Sequence, residues 1–175
     1  MIEWGLYVHI PFCRKKCFYC DFSSYAGSEN RMEDYTEALC QEMTTQGNLL
    51  RAAQPGPPAT VYFGGGTPTA LPASCLARII ESVRSNFGWQ EDCEFTIEAN
   101  PGTVSAELFC LLRQKGVNRI SLGVQSFNDV LLKRIGRIHR AGEAEEAVML
   151  AKKAGFSNIS LDLMYGLPGQ DLTDW

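Results

Sequence analysis

Five short apolar-rich segments, separated by stretches with helical periodicity, set the strongest limit on how this chain can fold. Residues 5–10, 60–64, 94–99, 119–124 and 158–164 read as strands, and helices are expected at 32–46, 73–86, 105–115 and 141–154. Helix punctuation agrees. Ser105, followed by Glu107 and Leu108, has the character of an N-cap, while Gly88, Gly116 and Gly155 stand just after helical runs, where a C′ glycine belongs. Repeated βα units dictate a parallel sheet covered by helices. The run 52–59, with three prolines, is expected to be a surface loop ahead of the second strand.

Parallel strands are normally apolar on both faces, because helices or a core cover each side. These strands alternate instead. One phase reads Leu6, Val8, Ile10; Val61, Phe63; Phe95, Ile97, Ala99; Ile120, Leu122, Val124; and Ile159, Leu161, Leu163, and is expected to face the helices. The other is largely polar: Tyr7, His9; Tyr62; Glu94, Thr96, Glu98; Ser121, Gln125; Ser160, Asp162, Met164. If the sheet curves as in a barrel, this second phase lines a polar lumen, with its last members at the C-terminal strand ends where βα folds place their sites. Asp162 presses the point, since a carboxylate between two leucines of a central strand would otherwise be a buried unpaired charge. After the fifth strand, Gly166-Leu-Pro-Gly169 and Asp171-Leu-Thr-Asp-Trp175 read as a turn and the opening of another helix. The expected architecture is therefore α/β, a partial (β/α) TIM-like barrel truncated after about five βα units. Residues 1–175 would be its N-terminal part, with later barrel units and a C-terminal domain absent.

With 45% apolar residues the chain can bury one core, and a formal charge of -4 offers no basic field for a nucleic-acid backbone. The first residues lack a basic n-region, and His9 and Pro11 interrupt their apolar run, so neither a signal peptide nor a membrane span is expected. Seven cysteines, three of them crowded between residues 13 and 20, suit a reducing, cytoplasmic compartment and metal ligation better than disulfides. Cys40, Cys75, Cys93 and Cys110 read as small apolar core residues.

Cys13, Cys17 and Cys20 place three thiols in eight residues on the loop after the first strand. Three such ligands suit three irons of one [4Fe–4S] cube and leave the fourth iron open to substrate or cofactor. A structural zinc is the alternative; it wants a fourth ligand, and His9 lies far back along the strand.

The stretch Tyr7-Val-His-Ile-Pro-Phe-Cys13, with Cys17 and Cys20 after it, resembles the radical S-adenosylmethionine (SAM) superfamily, in the branch of oxygen-independent coproporphyrinogen III oxidases and HemW-type heme chaperones. Further segments match in order: Gly64-Gly-Gly-Thr-Pro-Thr69, Glu98-Ala-Asn-Pro101, Gly123-Val-Gln-Ser-Phe127, Gly136-Arg137 and Asp162-Leu-Met-Tyr-Gly-Leu-Pro168. The resemblance implies that the open iron binds the amino and carboxylate groups of SAM, and that reduction of the cluster cleaves SAM to a 5′-deoxyadenosyl radical. It implies Tyr7 and Tyr19 beside cluster and SAM, and backbone groups of Gly65, Gly66 and Thr67 at the methionine end. Glu98, Gln125, Arg137 and Asp162 would hold SAM, Arg137 suiting a carboxylate and Gln125 and Asp162 the ribose hydroxyls. His139 is left outside the site as a packing residue. Arg14, Lys15 and Lys16 read either as a solvated charged loop or as cations that would ease cluster reduction and attract an acidic flavodoxin-type donor.

One departure bears on end use. The oxidases extend the motif with a cysteine two residues after the third ligand, whereas this chain reads Cys20-Asp-Phe22. That favours the heme-chaperone group, which is thought to bind heme and pass it to an acceptor protein, with the heme motif beyond Trp175. The alternative is the oxidase reaction, oxidative decarboxylation of coproporphyrinogen III to protoporphyrinogen IX.

Overall fold

The computed structural model describes residues 3–53 and 56–175. Strands β1 (Gly5–Ile10), β4 (Thr60–Gly65), β5 (Glu94–Ala99), β6 (Arg119–Gln125) and β7 (Asn158–Leu163) form one sheet in the order β1-β4-β5-β6-β7, with every pair parallel. Two short strands, β2 (Phe12–Cys13) and β3 (Tyr25–Ala26), pair with each other just beyond β1. Between the sheet strands run α1 (Met32–Ala53), α2 (Ala73–Asn86), α3 (Ala106–Gln114), α4 (Asp129–Arg134) and α5 (Ala141–Lys153). The sequential parallel order is that of an opened (β/α) barrel.

The local signals behave as the sequence predicts, with instructive exceptions. Ser105 Oγ accepts the Leu108 N–H at 3.2 Å, and Gly88, Gly116 and Gly155 all have positive φ. Helix α1, however, runs seven residues past 46. Gly47, the first residue past the expected end, serves close packing: a Cβ on it would sit 2.9 Å from Asn86 Cβ at the end of α2. The loop expected at 52–59 therefore begins later; Gln54 and Pro55 of that loop, like Met1 and Ile2 at the start, lie outside the described residues. Helix α4 was not expected at all, although Asn128 Oδ1 caps it through the Val130 and Leu131 amides. At the end of the chain no helix turn forms among the described residues. Asp171 and Asp174 instead exchange the reciprocal bonds of a capping box.

The apolar phase makes the core. Val61, Phe63, Phe95, Ile97, Ile120, Leu122 and Val124 are wholly buried, covered by Leu76, Ile79, Ile80 and Val83 of α2, Phe109 and Leu112 of α3, and Ala144, Ala147 and Ala151 of α5. Leu161 and Leu163 depart from this: they are 38% and 43% exposed, because β7 is a sheet edge and no described helix covers that part of it. The same edge position exposes Asp162, so the burial penalty argued from its sequence setting does not arise. Cys75 and Cys93 are buried as expected, but Cys110 is exposed on the outer side of α3. No helix among the described residues is long and apolar enough to cross a membrane.

Phe63 sits at the centre, its ring 5.2 Å from that of Phe95. Replacement Phe63→Ala is expected to lower unfolding free energy by about 3–5 kcal/mol, read from the midpoint of urea denaturation; a loss below about 1 kcal/mol would contradict a core centred on this strand pair.

Candidate functional site

The polar strand phase converges on a cavity of about 380 Å³ at the C-terminal ends of β4 to β7. Cys13, Cys17, Cys20, Tyr19, Gly65, Gly66, Thr67, Glu98, Gln125, Arg137 and Asp162 all line it, so the structure brings together every expected site residue except Tyr7. Tyr7 stands outside, 55% exposed, stacked on Tyr62 with ring centroids 6.1 Å apart. Its hydroxyl bonds His9 Nδ1 at 3.0 Å, and His9 Nε2 donates to the Ser23 carbonyl at 2.8 Å. His9 thus ties the strand to the loop at Ser23 through Nε2, while its Nδ1 is engaged by Tyr7 of the same strand. Among the described residues no group of three His, Cys, Asp or Glu side chains gathers around a single-ion position.

The cysteine loop is a closed excursion. The β2/β3 pair and the Tyr25 N–H to Pro11 carbonyl bond, 2.7 Å, fasten its base. Arg14 Nη1 donates to the Gly102 carbonyl at 2.7 Å, and Lys16 Nζ to the Phe22 and Ser24 carbonyls at 2.7 and 3.3 Å. Of the three cations expected to create an electrostatic patch, two are therefore internal tethers. Lys15 is free of such bonds and lies over the exposed Phe18 ring, 5.6 Å from its centroid.

The glycine turn fits against this loop backbone to backbone. Gly66 N–H donates to the Ile10 carbonyl and Thr67 N–H to the Phe12 carbonyl, both at 2.8 Å, which continues the β1–β4 pairing past the strand ends. A Cβ on Gly66 would lie 2.6 Å from the Phe12 carbonyl oxygen and 3.0 Å from Cys13 Sγ, so only glycine permits the approach. Gly65 has φ +115, and its amide donates to Glu98 Oε2 at 3.2 Å.

Charges inside the cavity are segregated. Tyr62 donates to Glu98 Oε1 at 2.7 Å, and Ser121 Oγ donates to Asp162 at 3.2 Å. Burial pushes the Glu98 carboxyl above the usual carboxylate range, opposed by the bonds from Tyr62 and Gly65. Burial, then Glu98, pushes the Tyr62 hydroxyl well above its ordinary value. Arg137 Nη1 reaches Cys17 Sγ at 3.5 Å and Nη2 donates to the Gly123 carbonyl, while its buried Nε has no partner among the described residues. Tyr19 beside this pair is raised to about 12, chiefly by burial. Gln125 holds a positive φ of 71 at a register shift in β6, the kind of backbone strain of about 1–3 kcal/mol that collects at ligand sites. His139 is buried, its Nε2 donating to the Val124 carbonyl and its pKa lowered to about 4 mainly by burial, a packing histidine as expected.

Tyr62 and Ser121 line the cavity as their place in the lumen-facing phase predicts, although the sequence gives them no site role; Asn100 and Gly123 line it without having been singled out.

A helix-backed parallel sheet thus gathers three free thiols, a close-packed glycine turn and the Arg137 guanidinium at the C-terminal ends of its strands, the layout of a βα protein with its site at that end. The chain belongs to the radical SAM superfamily, whose family model matches residues 7–175. That membership implies a [4Fe–4S] cluster and SAM as cofactors. The chain is 44% identical to the heme chaperones HemW of Haemophilus influenzae and Escherichia coli, over 97% of its own length in each case and 45% and 44% of theirs. It thus spans less than half the length of these relatives. The structure of the E. coli coproporphyrinogen III oxidase HemN, a radical SAM enzyme, superposes with a TM-score of 0.89 at 31% identity, over 98% of this chain and 39% of that one. An archaeal Elp3 structure from Methanocaldococcus infernus shares the fold alone, with TM-score 0.61 at 19% identity, covering 99% of this chain and 41% of that one.

The Gly66 cradle makes a direct test. Gly66→Ala should leave the helical circular-dichroism signal in place yet reduce bound iron after anaerobic reconstitution several-fold, because the new methyl displaces the Cys13 strand; undiminished iron would show that the close approach is dispensable.

Proposed function

We propose that Cys13, Cys17 and Cys20 ligate three irons of a [4Fe–4S] cluster and that SAM occupies the adjoining cavity, completing the fourth iron. When bound, the pair supplies one-electron reductive chemistry at the SAM sulfonium. The residues present suit the two groups. Three free thiols share one wall, glycine backbone at Gly65 and Gly66 leaves room for the methionine end, and Glu98 and Arg137 offer opposite charges to an ammonium and a carboxylate. Gln125 and Asp162 face the same space as acceptors for ribose hydroxyls.

We further propose that the chain is the N-terminal part of a radical SAM core in a cytoplasmic HemW-like heme chaperone, with its heme site in the part of the relatives' length that this chain does not span. The observation that carries this choice is Cys20-Asp-Phe22: the position where the oxidases carry a further cysteine holds a 70% exposed phenylalanine whose carbonyl is tied to Lys16. Identity of 44% to the HemW relatives, against 31% to the oxidase structure, points the same way. Coproporphyrinogen III oxidation is the second reading, favoured by the close superposition on HemN. An acidic electron donor and a heme acceptor protein complete the scheme, the donor drawn to Lys15 and the exposed Phe18.

Heme titration set beside coproporphyrinogen turnover, both on the full-length protein, decides between the readings. The chaperone reading expects saturable heme absorbance and no vinyl-bearing product from the reduced, SAM-supplied protein; formation of protoporphyrinogen IX would overturn it.

A further inference from the structure

Arg137 is placed too carefully for a residue that only meets SAM. The Phe18 N–H, next to Cys17, donates to the Ile135 carbonyl at 3.0 Å, and the Phe18 ring packs on Gly136, where a Cβ would lie 3.3 Å from it. Gly136 itself has φ +79, and the Arg137 N–H returns to the Leu132 carbonyl at 2.9 Å. These ties fix the register between the cysteine loop and the residue after α4, so the contact of Arg137 Nη1 with Cys17 Sγ at 3.5 Å is held by backbone on both sides. The guanidinium is also divided. Nη1 faces sulfur, Nη2 donates to the Gly123 carbonyl, and the buried Nε has no partner among the described residues.

We propose that Arg137 is a positioning residue that sets the reduction potential of the cluster through Cys17, by an N–H···S bond and a fixed positive charge. This rests on the reading that Cys13, Cys17 and Cys20 hold the cluster. Hydrogen bonds to cluster sulfurs and local net charge both tune such potentials. Reduction adds one electron to the cluster, taken from an external low-potential reductant, and a cation beside the thiolate favours the more negative product. Removing the cation therefore lowers the potential. Arginine is needed rather than lysine, because a single ammonium cannot serve sulfur and carbonyl in one planar fork.

The test is potentiometry of the anaerobically reconstituted protein without SAM, in wild type, Arg137→Gln and Arg137→Lys, with iron, sulfide and circular dichroism measured first. At the potential that half-reduces the wild type, Arg137→Gln should show about a tenfold lower reduced-to-oxidised ratio, which is about 59 mV for a one-electron couple. Arg137→Lys should fall between. A fully loaded Arg137→Gln cluster with the wild-type ratio overturns the inference while leaving the cysteine reading intact. A folded Arg137→Gln or Arg137→Lys variant that takes up no iron also overturns it, since Arg137 would then act in assembly. If the wild type takes up no iron, the cysteine reading fails and the inference falls with it.

Discussion

The site depends on two backbone hydrogen bonds made where the sheet has formally ended. Gly66 N–H to the Ile10 carbonyl and Thr67 N–H to the Phe12 carbonyl extend the pairing of the first two sheet strands into their loops. That extension carries Cys13 to the rim of the cavity and lays the glycine turn against its sulfur, with Thr67 Oγ1 3.6 Å away. No side chain could hold the two segments so close, because the methyl of an alanine at 66 already meets the Phe12 carbonyl. The wholly buried apolar phase beneath makes this geometry rigid.

Around that fixed point the cysteine loop is held by donors whose partners are carbonyls: Arg14, Lys16 and His9 each end on a backbone oxygen, and Phe18 supplies its own amide to Ile135. Charge-assisted bonds of this kind order a loop that has almost no regular structure and few apolar contacts of its own. The bonds fix the positions of two of the three loop cations without cancelling their charge, since their partners are neutral carbonyls. The cavity lining combines two carboxylates carried on strands, Glu98 and Asp162, with the Arg137 guanidinium. The water-poor setting that raises the Glu98 carboxyl also strengthens any pairing it makes.

Much of this was legible in the sequence because period-2 alternation and glycine punctuation are local signals. The two strand phases assign the core and the lumen residue by residue, and the cavity then gathers Glu98, Gln125 and Asp162 from three different strands. What failed depended on tertiary neighbours. The first helix was expected to end at 46, but it continues through Gly47, which packs against Asn86. Leu161 and Leu163 read as helix-facing, but they are part of β7, an edge of the sheet, and stay partly exposed, while Asp162 lines the cavity as its phase predicts. Cys110 follows the helical pattern yet faces solvent. Tyr7 and His9 were read through their place on β1, and only the fold shows that they brace the far end of the cysteine loop at Ser23. The split guanidinium of Arg137 was likewise invisible, since its partner Cys17 lies 120 residues away.

The central claim is that three thiols leave one iron of a cluster open to the ligand in the neighbouring cavity. Electron paramagnetic resonance of the reduced, reconstituted protein before and after SAM addition tests it most directly. The account predicts iron and sulfide in equal amounts and a cluster signal whose g values shift when SAM is added. A signal indifferent to SAM, or bound zinc in place of iron and sulfide, would contradict it.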